Sequence, residues 1–408
     1  MFKYIVIFLF AFSAPSSFAD TKETYRQLSI FNEVYNIVKD EYVEELTDKE
    51  LVEKALNGML QALDPHSSYM NEEIYKEMQM DTSGTFGGLG IEITTDKGFI
   101  KIISPIDDTP ADKAGIQAGD YITHLNGESV VDMNLKEAID IMRGEVGTPI
   151  TITIIRGAEE PFDVELIRDI IKMASVKHRV LNNVGVLRVS TFNEQTTFGL
   201  EDSIKELEES ENPPIGYVLD LRNNPGGLLT ESVSVSDLFL EQGEIVSIRG
   251  REKKDVQVFS AKKGDLINKK PLVILINEGS ASASEIVAGA LQDHDRAVIM
   301  GMKSFGKGSV QTIVPIDSGA IRLTIAKYYT PSGDSIQAVG IEPDVVVPRA
   351  ELNIIDNYFT FRESDYKDAL DNETTNGDEE EATSTDILEQ DYQLSRAVDA
   401  VKTIAVLN

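Results

Sequence analysis

The sequence contains no cysteine among its 408 residues. This absence excludes disulfide bonds, and it also excludes a lipid-modified cysteine at a processed N-terminus. Histidine is scarce as well, and the four that occur lack the spacing of metal ligands: His66, His124, His178 and His294. We therefore expect neither a metal site nor a cofactor.

Basic residues are far fewer than acidic residues. Lysine and arginine together number 38 against 69 acidic residues, which gives a formal net charge of −31. This balance disfavours nucleic acid and anionic membrane surfaces as partners. The acidity serves mainly solubility, although a weak preference for basic substrates stays open. With 41% hydrophobic and 26% charged residues, the chain can bury ordinary cores, and its length suits two or three domains.

Long apolar runs are absent after the first residues. Met1–Ala19 is typical of a secretory signal, with Lys3 as the positive start, Tyr4–Phe12 as the apolar stretch and Ser17-Phe18-Ala19 as a small-x-small cleavage site. The apolar stretch is shorter than the roughly 20 residues of a spanning helix, which favours cleavage near Ala19 over a membrane anchor. The mature protein is expected to be soluble.

The stretch from Asn277 to Gln311 has the strongest pattern. An apolar run, Leu272–Ile276, leads into a turn of small residues, and a helix is predicted from about Ser284 to Leu291. A second apolar run and then Lys307, in GKGSVQ, follow. Open parallel α/β sheets place their chemistry where a strand ends in a tight turn before a helix. Such a turn presents a hydroxyl beside the positive helix end.

Three serines of this turn compete for the role of nucleophile: Ser280, Ser282 and Ser284. Serine needs a base to take its proton. His294 lies among charges in QDHDR and is expected to be solvated. Lys307 has few polar neighbours in the sequence, and burial lowers the pKa of a lysine. Lys307 is therefore the better candidate for the base of a Ser–Lys pair.

A structural interpretation is equally compatible with the spacing. Ser282 and Glu285 also form a capping box, with Ser282 as N-cap and Glu285 reaching back. Lysines flanked by glycines are mostly surface residues. The spacing alone leaves both interpretations open.

Four motifs together resemble the carboxy-terminal processing proteases, which are tail-specific serine peptidases built from a PDZ domain and a Ser–Lys core. They are LDLRNNPGGLL, NEGSASASEIVAGAL, SFGKGSVQ and YYTPSGDSIQAVGIEPDVVV, and the resemblance runs from about Thr21 to Pro348. It implies that Ser282 is the nucleophile, that Lys307, 25 residues further on, is the base, and that Gln311 orients the lysine. For a bacterial protein, it also implies the periplasm.

The resemblance implies an α/β core of Clp protease/crotonase type, plus a PDZ domain and N- and C-terminal helical segments. The repeated order of apolar strand, small-residue turn and helix, at Gly216–Leu221 and Leu272–Ile276, itself predicts parallel strands with covering helices. We expect a signal peptide at 1–19, a helical region at 20–82, a PDZ domain at 83–168, the protease core at 169–363, an acidic linker at 364–385 and a C-terminal helix at 386–408.

Helical spacing dominates both ends. Apolar residues recur at steps of three and four from Leu28 to Tyr42, and Asp48 is the expected N-cap of a second helix. The family uses this region for dimer contacts, whereas an intramolecular bundle is the alternative. The helix expected at Asp391–Val406 docks either on a partner's N-terminal helices or on its own core.

The PDZ-like segment carries the expected peptide-binding loop, Gly88, Leu89, Gly90 and Ile91. A glycine-containing loop can turn N–H groups toward a terminal carboxylate, and the next strand edge can pair with an extended peptide. A spacer is the alternative. Arg143 is a candidate for coupling the PDZ position to the core, although a cation at a helix C-terminus explains it equally well.

The PGG turn of LDLRNNPGG is expected to face the nucleophile. An oxyanion needs two preorganised N–H donors, and glycine permits a close approach. We assign this role to the N–H of Gly226 or Gly227 together with the N–H of Ala283.

Three functions are compatible with these motifs. The first is a serine endopeptidase gated by its PDZ domain, acting on polypeptide substrates through their C-terminal tails and forming a homo-oligomer through its terminal helices. The need for an adaptor protein stays open. The second is a crotonase-like acyl-CoA enzyme, which the secretory signal disfavours because CoA is cytoplasmic. The third is a catalytically silent peptide-binding scaffold.

Overall fold

The computed structural model describes residues 21–96, 98–131, 133–252, 254–262, 264–351 and 391–407. The expected signal peptide and acidic linker lie outside these residues. The chain divides into two compact units, one up to Asn71 together with Ile313–Leu323, and one of Glu72–Thr312 and the chain from Thr324. In the described part of the chain, no helix combines the length and apolarity needed to cross a membrane. The finer domain boundaries stay predictions.

The first unit begins with helices and a short strand: α1 (Thr21–Glu41), α2 (Asp48–Gln61) and β1 (Ser68–Met70). β1 pairs antiparallel with Ala320–Arg322. The predicted N-cap of α2 is wrong by one residue. Thr47 is the cap, because Glu50 lies three positions after it and closes a capping box: Glu50 N–H donates to Thr47 Oγ1 at 3.2 Å and Thr47 N–H to Glu50 Oε2 at 2.8 Å.

The second unit opens with a helix and a small antiparallel β-domain. Its elements are α3 (Glu72–Ser83), β2 (Thr85–Gly88), β3 (Ile91–Asp96), β4 (Phe99–Pro105), α4 (Pro110–Lys113), β5 (Tyr121–Leu125), β6 (Glu128–Ser129), α5 (Leu135–Met142), β7 (Pro149–Ile155), β8 (Phe162–Ile167) and β9 (Asp169–Lys172). The sheet order is β3-β4-β5-β7-β8, while β2 pairs with β9. The longer helix of this domain, α5, has Ala138 and Met142 buried in the domain's core.

The rest of the second unit is a mixed α/β core. Its elements are β10 (Val176–Leu181), β11 (Val184–Val189), α6 (Thr196–Glu208), β12 (Tyr217–Asp220), α7 (Leu229–Asp237), β13 (Gly243–Arg249), β14 (Val256–Ala261), β15 (Leu272–Ile276), α8 (Ala283–Asp293), β16 (Val298–Gly301), β17 (Ser309–Ile316), β18 (Gly319–Tyr329), β19 (Val345–Val346) and α9 (Tyr392–Leu407). β17 and β18 pair with each other, and their far ends belong to the first unit.

The central sheet has the order β10-β11-β12-β15-β16-β19. Five of its strands run parallel: β11, β12, β15, β16 and β19. This confirms the parallel strands predicted from the repeated motif. Since side chains alternate along a strand, Leu219 and Ile274 pack on the side of α6, α7 and α8, whereas Val218 and Val273 pack on the other side. Parallel sheets are normally covered on both faces.

The second face of the central sheet is covered by the C-terminal helix. In α9, Leu394, Ala397, Val398 and Val401 are buried against the sheet. Of the two alternatives for this helix, docking on its own core is therefore the one observed.

Candidate active site

The serine turn, residues 277–282, connects β15 to α8, and β15 lies at the centre of the parallel sheet. Ser282 is the N-cap residue of α8, with φ 55° and ψ −110°. A positive φ is unfavourable for any residue with a side chain, and such strain is retained mainly where the surroundings hold it in place. The Ser282 side chain therefore sits at the positive end of α8, at the carboxyl ends of the strands.

The three serines of the turn have different partners. Ser280 Oγ donates to the Leu221 carbonyl at 2.8 Å, and Ser284 Oγ donates to the Asn224 carbonyl at 3.0 Å. Both side chains are fully buried. The Ser282 side chain instead lies within hydrogen-bonding reach of the phenol of Tyr328. Two of the candidates thus fix the turn, and the third presents its hydroxyl to other side chains.

Glu285 ties the serine turn to the loop that carries Lys307. Its buried carboxylate accepts the backbone N–H groups of Ser282 at 2.7 Å, Gly306 at 2.6 Å and Lys307 at 2.9 Å. It also accepts the Ser304 hydroxyl at 2.6 Å. Glu285 does reach back to the N-cap, as the capping interpretation predicts, but the same side chain also brings Lys307 to the serine turn.

Lys307 lies half-buried just before β17, and Gln311 lies within that strand. The Gln311 amide Nε2 donates to Ser309 Oγ at 2.9 Å and to Thr324 Oγ1 at 3.1 Å. Since a hydroxyl can donate as well as accept, these two contacts do not by themselves fix which end of the amide is nitrogen.

The expectation that His294 is solvated is wrong. The residue is half-buried at the C-terminus of α8, and its Nε2 lies 2.7 Å from the Glu244 carbonyl oxygen. Since α8 has 11 residues, and a helix rises about 1.5 Å per residue, His294 lies at the far end of the helix from Ser282. This position excludes it as the base for Ser282.

The PGG turn approaches the serine turn closely. A Cβ on Gly226, where φ is 101°, would lie 2.9 Å from Ser282 Cβ and 3.0 Å from Ala283 N. Only glycine fits this approach. The Gly226 N–H, however, donates to Asn224 Oδ1 at 2.9 Å. The N–H of Gly227 has no acceptor in the ranges that the structure describes, and Ala283, as the first residue of α8, has no intrahelical acceptor.

Asn224 fixes these two turns against each other and was not singled out from the sequence. It is fully buried, and its carbonyl accepts the Ala281 N–H at 3.0 Å as well as the Ser284 hydroxyl. Its side-chain amide donates to the Val189 carbonyl at 3.0 Å. The available signal was an amide residue directly before Pro225-Gly226, a position typical of turns.

Arg222, three residues before Pro225 of the PGG turn, joins the core to the C-terminal helix. Its Nη2 lies 2.8 Å from Asp220 Oδ2 and 2.7 Å from Asp391 Oδ2. Burial disfavours the charged form of Asp391, but the hydrogen bonds from Arg222 outweigh burial and lower the pKa of this carboxyl. The acidic end of α9 is thus held by a charge-assisted contact.

The predicted peptide-binding loop lies beside an apolar cavity of about 130 Å³. The carbonyls of Leu89 and Gly90 accept the N–H groups of Ala111 and Ile106, whereas their own N–H groups meet no acceptor among the described residues. The cavity is lined by Phe86, Gly88, Leu89, Gly90, Ile91, Ile93, Ile139, Met142 and Arg143. The Arg143 guanidinium lies 4.5 Å from the centre of the Phe86 ring. An arginine therefore stands at the rim of the cavity.

Comparison with known proteins assigns three parts of the chain to known families. Residues 183–347 match peptidase family S41, residues 101–156 match a PDZ domain, and residues 12–74 match the N-terminal domain of the activating protease CtpB. A carboxy-terminal-processing protease of Bartonella bacilliformis is 55% identical over 330 residues, which cover 80% of this chain and 76% of that protein.

The chain is also similar to more distant proteins. The carboxy-terminal processing protease CtpA of Bacillus subtilis is 38% identical over 324 residues, or 79% of this chain and 68% of that protein. A solved structure of a photosystem II D1 C-terminal processing protease is 29% identical, covers 80% of this chain and 88% of its own, and has a TM-score of 0.46. On the family match and the identity to the Bartonella protein, the chain belongs to peptidase family S41, as a carboxy-terminal-processing serine protease with a PDZ domain.

Proposed function

We propose that this protein is a periplasmic or secreted serine endopeptidase that captures the C-terminal tails of polypeptides with its PDZ domain and cleaves them through Ser282. The observation that carries the proposal is the backbone conformation of Ser282, together with the hydrogen bonds of the neighbouring serines. It has a positive φ at a helix N-terminus, and the hydroxyls of Ser280 and Ser284 are both bound to carbonyls. Glu285 brings the backbone of Lys307 to the same turn.

In the proposed mechanism, Oγ of Ser282 attacks the peptide carbonyl while the neutral amine of Lys307 accepts the hydroxyl proton. The Lys307 ammonium then gives that proton to the leaving amine, which yields an acyl-enzyme on Ser282. Lys307 next takes a proton from water, and the resulting hydroxide hydrolyses the ester. The proton on Lys307 returns to Oγ of Ser282, so the enzyme regains its starting state. Gln311, with its amide oxygen as acceptor, orients the lysine.

The oxyanion formed in both steps is assigned to two backbone donors. The N–H of Ala283 points from the first turn of α8, and the N–H of Gly227 supplies the second donor, because the N–H of Gly226 is already bound to Asn224. Gly226 then serves as the residue that permits the two turns to touch. Losing one such donor typically costs about 3 kcal/mol in the barrier.

Tail capture is assigned to the loop at Gly88, Leu89, Gly90 and Ile91. The N–H groups of Leu89 and Gly90 suit a terminal carboxylate, and the adjoining cavity suits an apolar side chain. Arg143 lies at the rim of this cavity, which supports a part for it in coupling tail binding to the core.

We further propose that the core is of Clp protease/crotonase type, in line with its parallel strands and covering helices. A homo-oligomer formed through the terminal helices is favoured at the N-terminal end, because α1 exposes Tyr25, Leu28, Phe31 and Val34. An adaptor protein is a further expected class of partner.

Two variants test the function. Purified wild-type protein should cleave an unstructured polypeptide with an apolar tail without added metal or ATP, whereas Ser282→Ala and Lys307→Ala should each abolish turnover and keep their thermal unfolding transition. Ser280→Ala serves as the matched serine control and should retain an active nucleophile. Full activity of Ser282→Ala would refute the assignment. Mass spectrometry of periplasmic proteins trapped by Ser282→Ala would then identify the substrates.

A further inference from the structure

Tyr328 contacts the proposed nucleophile from a part of the chain that the Ser–Lys scheme does not use. Its phenol lies within hydrogen-bonding reach of the Ser282 side chain. Its backbone N–H donates to the Gly308 carbonyl at 2.7 Å, which anchors β18 one residue from Lys307. Tyr328 is 6% exposed and Ser282 is 7% exposed. The contact is therefore nearly shielded from solvent, where a hydrogen bond is electrostatically stronger than in water.

We propose that Tyr328 is a further catalytic residue and that its phenol donates a hydrogen bond to Oγ of Ser282 throughout the reaction. The inference rests on the proposed function, since it takes Ser282 as the nucleophile and Lys307 as the base. It adds a second group, besides Lys307, that acts on Oγ of Ser282, whereas the oxyanion donors act on the carbonyl oxygen of the substrate.

The direction of the hydrogen bond follows from the fate of the protons. Burial raises the pKa of Tyr328 to about 12, so the phenol keeps its proton at neutral pH and cannot act as a base there. The Ser282 hydroxyl has one proton, which must point toward Lys307 to be transferred. Its oxygen still has lone pairs to accept a bond, and Tyr328 is the donor next to it.

The donated bond strengthens where catalysis needs it. As the proton passes from Oγ of Ser282 to Nζ of Lys307, Oγ gains negative charge and the bond from Tyr328 becomes charge-assisted. During hydrolysis of the acyl-enzyme, Oγ is the leaving atom and gains charge again until Lys307 returns the proton. Tyr328 keeps its own proton in both steps. An interaction that is stronger in the transition state than in the ground state raises kcat.

The neighbouring tyrosine provides a matched control. Tyr329 follows Tyr328 in β18, and consecutive side chains of a strand point to opposite faces. Its ring lies 3.9 Å from the Arg249 guanidinium. Removing the hydroxyl from Tyr329 changes the same strand by the same atom but leaves Ser282 untouched.

The test compares the full-length wild type with Tyr328→Phe, Tyr329→Phe and Ser282→Ala. We expect Tyr328→Phe to lower kcat about tenfold, the size of one such hydrogen bond, with KM within about twofold. Labelling of Ser282 by a fluorophosphonate should slow by a similar factor, because that reaction needs only the nucleophile. Tyr329→Phe should match the wild type in both measurements.

A second measurement keeps the test decisive where Tyr328→Phe does not fold. Replacing Tyr328 by difluorotyrosine preserves the ring and the hydroxyl but lowers the phenol pKa, so the alkaline limit of kcat should move to lower pH. Wild-type kcat and labelling rate in Tyr328→Phe, or an unmoved alkaline limit in the difluorotyrosine protein, would overturn the inference. Activity in Ser282→Ala would instead overturn the proposed function.

Discussion

Oε2 of Glu285 accepts the backbone N–H of Lys307 at 2.9 Å, although the two residues are 22 positions apart in the sequence. The same oxygen accepts the N–H of Ser282 at 2.7 Å. One buried carboxylate thus sets the separation between the backbone of the serine turn and the backbone of the lysine loop. The relative position of the backbone segments that carry the two proposed reacting groups therefore depends on this side chain.

Removing this carboxylate should damage both stability and activity. In Glu285→Ala, the N–H groups of Ser282, Gly306 and Lys307 lose their acceptor, and each unsatisfied buried donor costs about 1–3 kcal/mol. We expect the free energy of unfolding to fall by about 3 kcal/mol or more. Misplacement by about 1 Å typically lowers rates about a hundredfold, so kcat should fall by that order. Urea unfolding and peptidase kinetics measure the two effects.

Two further variants control this prediction. Glu285→Gln keeps an oxygen acceptor and should retain more activity than Glu285→Ala. Glu278→Ala removes an exposed carboxylate from the same turn and should change neither quantity. Equal kcat in Glu285→Ala and the wild type would show that the two loops are held by other contacts.

A methyl group on Gly226 should separate the PGG turn from the serine turn. In Gly226→Ala the added Cβ would lie 2.7 Å from the Ala281 carbonyl oxygen and 2.9 Å from Ser282 Cβ. We expect kcat to fall about a hundredfold through the displaced oxyanion donors, with little change in KM. Gly333→Ala controls for backbone strain, because φ is 89° there and the nearest atom to a Cβ lies 4.0 Å away. An equal loss in both variants would attribute the effect to strain alone.

The elements that the sequence predicted well are those whose pattern is local. β15 has the bounds of its apolar run, Leu272–Ile276. The N-cap of α2 was misassigned for a local reason too. Thr47 and Asp48 are both good N-cap residues, and only the position of Glu50 distinguishes them.

The contacts that complete the site join residues far apart in the chain, and no periodicity reveals them. Glu285 is recognisable from the sequence as a capping residue, but its bonds to Gly306 and Lys307 depend on how β16 returns beside α8. The same applies to the contact of Tyr328 with Ser282, which depends on the pairing of β18 with β13. His294 looked solvated because its sequence neighbours are charged, whereas its hydrogen-bond partner, Glu244, is 50 residues away.

The ion pair between Asp391 and Arg222 should make the stability of the C-terminal helix depend on pH. The pKa of Asp391 is lowered in the folded protein, so the pair stabilises above the ordinary carboxyl value of about 3.9. This contribution is lost as the pH falls through the lowered folded value. Asp391→Asn should therefore reduce the free energy of unfolding by about 1 kcal/mol at pH 7, allowing for partial exposure of the pair. The difference should shrink below about pH 4.

Urea unfolding at several pH values measures this difference, and Asp399→Asn provides the control. Asp399 lies on the same helix but pairs with Arg396 at the surface, so its substitution should have little effect at any pH. Asparagine at 391 can still accept the Leu394 N–H that Asp391 accepts at 3.1 Å. A deficit in Asp391→Asn that does not vary with pH would therefore point to a packing effect rather than to the ion pair.

Substitution of Gly90 should separate tail capture from catalysis. At this residue φ is 78°, and an added Cβ would lie 2.3 Å from Thr109 Cβ, so Gly90→Ala must move the loop whose N–H groups are proposed to bind the terminal carboxylate. We expect KM to rise for substrates with a free apolar tail, while kcat and fluorophosphonate labelling of Ser282 stay near wild type. Gly98→Ala is the matched control in the same domain, because φ is 83° there and no atom lies within 4 Å of the added Cβ.

Gly88→Asp, which places a negative charge beside the carboxylate, should likewise weaken capture of tailed substrates. If amidation of the substrate's C-terminus raises KM for the wild type but not for Gly90→Ala, this loop binds the terminal carboxylate. An equal rise in KM for both proteins would show that the loop does not bind it.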